Sequence, residues 1–168
     1  MTLEKQFIHA LRAEIRASEL VSEPLPALPL PTNIEVERDV VGALLSKEVK
    51  VQDFQELLPE HFYLPFYAWF FTKLHAASQK QGFSLSDGLL CAAGETEGIS
   101  SKQTYCEIRS LKARPFLFRE IVQKKASYLI ELHKTRQLII QLGRVDVALR
   151  TGSRSLVEAK NFLRNVVA

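Results

Sequence analysis

Apolar residues recur at helical spacing from the start of the chain. In residues 2–22 they follow one another every four positions, with charged residues between them: Leu3, Phe7, Leu11 and Ile15. This spacing predicts an amphipathic helix. Residues 23–31, EPLPALPLP, hold four of the seven prolines and favour an extended, semi-rigid linker. We therefore expect residues 1–22 to be an appendage with its own docking partner.

From residue 32 onward, residues typical of helix starts and helix ends indicate a series of helices. Capping-box pairs, in which Ser or Thr precedes Glu or Gln by three residues, mark three helix starts: Thr32–Glu35, Ser100–Gln103 and Ser155–Glu158. A short helix is expected at 51–58, and a further one from Pro65 to about Gly82. No alternation of period two occurs. The predicted fold class is all-α, with six or seven helices and a globular subdomain over residues 32–115.

The C-terminal part, residues 116–168, is predicted to be an antiparallel helical hairpin. Residues 117–150 read as one long helix, and a short turn around Gly152 leads to a second helix over 155–168. The long helix carries more apolar surface than one neighbour can cover. Its outer stripe, spaced 4, 3 and 4, is the predicted oligomer or partner interface: Leu138, Leu142, Val145 and Leu149.

The net charge of +3 conceals an asymmetry. Residues 1–101 carry 8 Lys and Arg against 14 Asp and Glu, whereas residues 102–168 carry 14 against 5. A basic half can attract DNA or an acidic protein face. The candidate contacts are Lys124, Lys125, Lys134, Arg136, Arg150 and Arg154. No dense basic run occurs, so we expect DNA binding to be weak, non-specific and sensitive to salt.

Candidate chemistry is sparse. There is no phosphate-binding glycine loop and no nucleophile elbow, and the four histidines stand far apart along the chain. Glu35 and Glu37 are two residues apart, so on a helix they diverge. Seven aromatic residues fall within 62–71, and the helical spacing of Phe66, Phe70, Leu74 and Ala77 favours core packing over a stacking platform for single-stranded nucleic acid. We therefore expect no catalysis, no cofactor and no metal, in a soluble cytoplasmic protein without a membrane span or a secretory signal.

One block resembles a known family. The segment Pro31–Leu45, PTNIEVERDVVGALL, is similar to the opening of the N-terminal domain of DnaB-family replicative DNA helicases, whose pattern is P-x-N-x-E-A-E-x-x-[VL]-[LI]-G-[AG]-[LM]-L. The matching residues are Pro31, Asn33, Glu35, Glu37, Val41, Gly42 and Leu45. Residues 60–82 and 136–139 resemble two later blocks. Tyr67 stands where the family usually has His, and Ser86 where it has Asp.

The resemblance implies a mechanical function. In that family this domain is a helical globule followed by a hairpin, and the hairpins pair between subunits into a collar on the hexameric ring. The collar docks the primase and, in some systems, responds to the helicase loader. The motor that hydrolyses ATP lies in a separate domain. The implied partners are further copies of the chain, as a dimer or a hexameric collar, together with primase or loader.

Two other interpretations stay open. The helicase-binding domain of a primase has a related globule and hairpin, although the opening block favours the helicase domain. The third candidate is a small basic DNA-binding protein, which the charge of the C-terminal half suggests. The scattered placement of those charges on packed helices is untypical of that class.

Overall fold

The computed structural model describes residues 30–80, 85–152, 157, 158 and 161, and these residues contain helices but no strand. The predicted all-α class is confirmed. The α-helices are α1 (Ile34–Leu45), α2 (Pro65–Ser78), α3 (Asp87–Thr96), α4 (Ser101–Lys112) and α5 (Arg119–Arg150). Two short 3-10 helices, η1 (Val51–Asp53) and η2 (Pro59–His61), lie between α1 and α2.

Several predictions fall outside the described residues. These are the N-terminal appendage at 1–22, nearly all of the linker at 23–31 and most of the second hairpin helix at 155–168. The helix end predicted near Gly82 is wrong, because α2 ends at Ser78. Among the described helices, none has both the length and the apolar character needed to cross a membrane.

Local capping explains where the helices begin. The cap of α1 is Asn33 and not Thr32, because the Asn33 side chain accepts the Val36 N–H at 3.2 Å. Helix α2 begins at Pro65 as predicted. Of the short helix predicted at 51–58, only the 3-10 turn η1 at its start forms, and η2 follows after residue 58. Side chains close these turns: Asp53 accepts the Lys50 N–H and His61 accepts the Leu58 N–H, each at 3.0 Å.

Helix α1 is the centre of the core and packs against α2, α4 and α5. Val40 and Val41 on α1 are fully buried. The approach to α4 is close, because a Cβ at Gly42 would lie 2.9 Å from the Leu111 carbonyl oxygen. Only glycine fits between the two backbones at this distance.

The first half of α5 also belongs to this core. Its buried side chains join the same cluster as those of α1 and α2: Val122, Ala126, Leu129 and Leu132. The core of the predicted globule at 32–115 therefore extends into the first helix of the hairpin predicted from 116. The globular unit continues into α5 because the apolar face of its first four turns covers α1.

The aromatic run at 62–71 mostly fills the core, as predicted. Phe70 and Phe71 are fully buried, and Phe62 and Tyr67 nearly so. Tyr63 is the exception, with its ring exposed at the surface. The buried rings are therefore packing groups and are not accessible for stacking on nucleotide bases.

Candidate protein-interaction surface

Helix α5 changes its apolar face near its middle. Leu129 points into the core, and Leu138 follows nine residues later. At 3.6 residues per turn this is about two and a half turns, so the two side chains face opposite sides. Leu138 is 37% exposed and Leu142 is 46% exposed. Beyond Arg136, α5 therefore carries leucines on the side that faces away from the globule.

The four residues of the predicted interface have different environments. Leu138 and Leu142 are exposed, Leu149 is half-buried and Val145 is buried, with 6% exposure. Val145 is already covered by its own chain, so its prediction as an exposed interface residue is wrong. The surface that α5 offers on this side is centred on Leu138 and Leu142.

Arg136 is a structural residue of the globule. It is 5% exposed, and its guanidinium donates to the carbonyl oxygens of His61 at 2.6 Å and Pro31 at 3.3 Å. Burial lowers the pKa of Arg136, while the carboxylate of Glu37 acts against this shift. Its predicted role as a contact for DNA or a partner is wrong, because these two carbonyls hold the side chain inside the fold.

Glu37 is the second buried charge of this region. It is fully buried on α1 and accepts the backbone N–H groups of Tyr63 at 2.6 Å and Leu64 at 3.1 Å. Burial raises the pKa of Glu37, and the two N–H groups and Arg136 oppose that shift. Glu35 diverges from it, as predicted, and pairs with Arg114 at the surface. Glu37 thus ties α1 to the segment that precedes α2.

The position of Glu37 in the sequence indicates its burial. Glu37 lies three and four residues before Val40 and Val41, so it falls on the apolar stripe of α1. An acid on such a stripe must find donors inside the fold. The orphan N–H groups at the start of α2, next to Pro65, are those donors.

Part of the charge asymmetry is used in ion pairs within the chain. Cations of the basic half pair with carboxylates of the acidic half: Lys125 and Arg114 with Asp39, Arg119 with Asp53, and Lys112 with Asp87. Burial opposes ionisation of Asp39, but hydrogen bonds from Lys125 and Arg114 lower its pKa overall. Lys125 therefore pairs with a carboxylate of α1 within the chain.

The other predicted basic contacts lie at the surface or outside the described residues. Lys124, Lys134 and Arg150 are exposed. Lys134 pairs with Glu131 at 2.9 Å, and Arg150 pairs with Asp146 at 2.9 Å. Arg154 lies outside the described residues. Lys134 and Arg150 thus each have an acidic neighbour on α5 itself.

Two histidines that are distant in the sequence lie side by side. The ring centroids of His61 and His133 are 5.0 Å apart, and ligand atoms of Glu60, His61 and His133 lie within 4.8 Å of one another. The fold thus brings together two histidines that are 72 residues apart in the sequence. This trio is a candidate for holding a metal ion.

The hydrogen bonding of His61 opposes coordination. Its Nδ1 accepts the Leu58 N–H at 3.0 Å, so the proton of the neutral ring sits on Nε2 and leaves that nitrogen no lone pair. Burial lowers the pKa of His61, and the nearby His133, Arg136 and Lys134 act in the same direction. The carboxylate of Glu60 opposes this shift. The tautomer fixed by the Leu58 N–H indicates a structural histidine pair.

Comparison with known proteins adds no relative. No protein-family model, curated protein or solved structure matches the chain. The surface of α5 is thus interpreted from its own residues.

Proposed function

We propose that the chain is a non-catalytic scaffold domain in DNA replication, of the kind that opens DnaB-family replicative helicases. It assembles with further copies of itself, as a dimer or a hexameric collar, and docks a primase or a helicase loader in the cytoplasm. The observation that carries this proposal is the exposure of Leu138 and Leu142 on the side of α5 opposite the core.

Exposed leucines in one row on a long helix favour association. Burying them against a second helix removes apolar surface from water, and contiguous exposed apolar surface is typical of interaction sites. The opposite face of the same helix is fixed to the globule through Val122, Ala126 and Leu129. The exposed face is thus held in a defined orientation, which reduces the entropy lost on binding.

The residues of the resembling block support the family assignment by their structural roles. Asn33 caps α1, Glu37 binds the backbone before Pro65, and Gly42 permits the approach of α4. Each of these residues thus has a structural role in the described fold, which supports the proposal that the block was retained for its architecture.

The DNA-binding alternative has less support. Four cations of the basic half, Lys112, Arg114, Arg119 and Lys125, face carboxylates of α1, η1 or α3 at hydrogen-bond distance. Binding phosphate there would require these ion pairs to break. We therefore place protein association first.

Replacing Leu142 by Asp tests the proposal. Leu142 is 46% exposed, so an interface would bury about half of a leucine, about 0.7–1.5 kcal/mol, and would in addition desolvate the new carboxylate. When these two contributions together reach about 2.7 kcal/mol, the dissociation constant of the assembly rises about a hundredfold. Multi-angle light scattering across micromolar concentrations should show an assembled wild type and a monomeric variant with unchanged circular dichroism.

Leu89→Asp is the matched control. Leu89 on α3 is also 46% exposed but lies on a different surface, so its replacement should leave the assembly intact. A wild type that is monomeric at high micromolar concentration contradicts the proposal. Equal dissociation of the Leu89 and Leu142 variants contradicts it too, because the effect would then not be local to α5.

A further inference from the structure

The contact between η2 and α5 converges on one histidine. His133 and Arg136 are three residues apart, so they share one face of α5. His133 lies against the His61 ring with 5.0 Å between the ring centroids, and Arg136 donates a hydrogen bond to the His61 carbonyl oxygen at 2.6 Å. Two side chains of α5 therefore hold the same residue of η2, one at its ring and one at its backbone.

The same ring also closes the turn of η2. Its Nδ1 accepts the Leu58 N–H at 3.0 Å, which requires the neutral form of His61. A protonated imidazole carries an N–H at both ring nitrogens and accepts no hydrogen bond. When His61 binds a proton, this hydrogen bond is therefore lost and two N–H groups face each other.

The surroundings of the ring also oppose a positive charge there. Burial lowers the pKa of His61 most, and the groups of α5 that face the ring lower it further: His133, Arg136 and Lys134. Glu60 of η2 acts in the opposite direction, but it is exposed at the surface. Glu37 of α1 interacts with Arg136, and its two carboxylate oxygens accept backbone N–H groups. The closed contact thus favours the neutral ring.

We propose that His61, held by His133 and Arg136, is an acid-sensitive latch between η2 and α5 that opens locally when its ring binds a proton. In the open state the ring lies in water, where its pKa is the ordinary 6.5. Because the closed state has the lower pKa, the latch stays closed above pH 6.5 and opens increasingly as the pH falls below that value. The inference concerns contacts within one chain and does not rest on the proposed function.

The segment around η2 can open while the rest of the core stays folded. Within residues 58–63 only two side chains are buried, those of His61 and Phe62. Segments with few buried side chains open at a lower free energy than the whole domain. Opening would also release the guanidinium of Arg136 from the His61 carbonyl and so loosen the attachment of α5 near its middle.

Amide hydrogen exchange of the full chain at pH 7.5 and pH 5.5, read by mass spectrometry, measures this opening. Rates are corrected for the pH dependence of the chemical exchange step. Peptides that cover residues 57–64 should then exchange severalfold faster at pH 5.5, with about tenfold as the upper limit for one proton bound below pH 6.5. Peptides from α3 and α4, which contain no histidine, should not change. Equal acceleration in all peptides would mean global unfolding and would overturn the latch.

Two variants test the histidine itself. The side-chain oxygen of His61→Asn can accept the Leu58 N–H but binds no proton in this range, so exchange in residues 57–64 should lose its pH dependence. His75→Asn is the control, because His75 is an exposed histidine on α2, and this variant should keep the wild-type response. A pH response that persists in His61→Asn, or that disappears in His75→Asn, overturns the inference.

A measurement on the wild type covers the case in which His61→Asn exposes the segment at both pH values. Nuclear magnetic resonance of the His61 ring reports its titration directly. A midpoint below pH 6.5, together with faster exchange in residues 57–64 over the same range, supports the latch. A midpoint at or above pH 6.5 overturns it, because protons would then not favour the open state.

Discussion

Replacing Glu37 by Gln removes a buried charge that holds two elements together. The carboxylate accepts the N–H groups of Tyr63 and Leu64 and lies near the guanidinium of Arg136. Glutamine keeps the size and one acceptor oxygen but loses the charge and one hydrogen bond. Leaving a buried donor unpaired costs about 1–3 kcal/mol, and breaking a buried charge pair costs about 3–5 kcal/mol. We expect Glu37→Gln to lower the free energy of unfolding by about 2–4 kcal/mol, and Glu37→Ala by more.

Urea denaturation, followed by circular dichroism and by the fluorescence of Trp69, measures this loss. Glu35→Gln is the matched control, because Glu35 is the neighbouring acid of the same block but lies at the surface with Arg114. An exposed ion pair contributes only about 0–1 kcal/mol. If the Glu37 variant costs no more than the Glu35 variant, the assigned role of Glu37 is wrong.

Two further predictions concern packing and pH. Gly42→Ala places a Cβ 2.9 Å from the Leu111 carbonyl oxygen and should lower the free energy of unfolding in urea by about 1–3 kcal/mol. Gly88→Ala is the control, because no described atom lies closer than 4.0 Å to its Cβ, and it should not lower that free energy. Equal effects of the two variants would contradict the close approach at Gly42. Burial lowers the pKa of His61 in the folded chain below its usual 6.5. As the pH falls below 6.5, the unfolded chain therefore binds the proton before the folded chain does, and the free energy of unfolding decreases. His61→Asn, whose side-chain oxygen can accept the Leu58 N–H, should flatten the fall of stability between pH 7.5 and 5.5; an unchanged slope would exclude His61 as its source.

Features fixed by neighbours in the sequence could be predicted. Pro65 begins α2 because proline fits the first turn of a helix. The length of α5 follows from its helical periodicity and the absence of an internal proline. Asn33 instead of Thr32 caps α1, an error of one residue that is typical of boundaries where two capping residues are adjacent.

Features that depend on distant contacts could not be predicted. Arg136 binds the carbonyl of His61, 75 residues earlier, and His133 lies against the same histidine. The charges of the two halves could be counted, but no local pattern shows that Lys125 meets Asp39. The α5 stripe was found by periodicity, yet the burial of Val145 within its own chain was not.

The single long helix α5 also has a mechanical consequence. Arg136 fixes it to the globule near its midpoint, and 14 further residues extend about 21 Å beyond that pivot. A tilt of about 10° at the pivot would move the far end by about 4 Å at this rise per residue. A partner bound near Leu142 can thus exert torque on α1 and α2, because the second half of α5 acts as a stiff lever. Gly143, which weakens helix formation, is the point at which that lever would bend first.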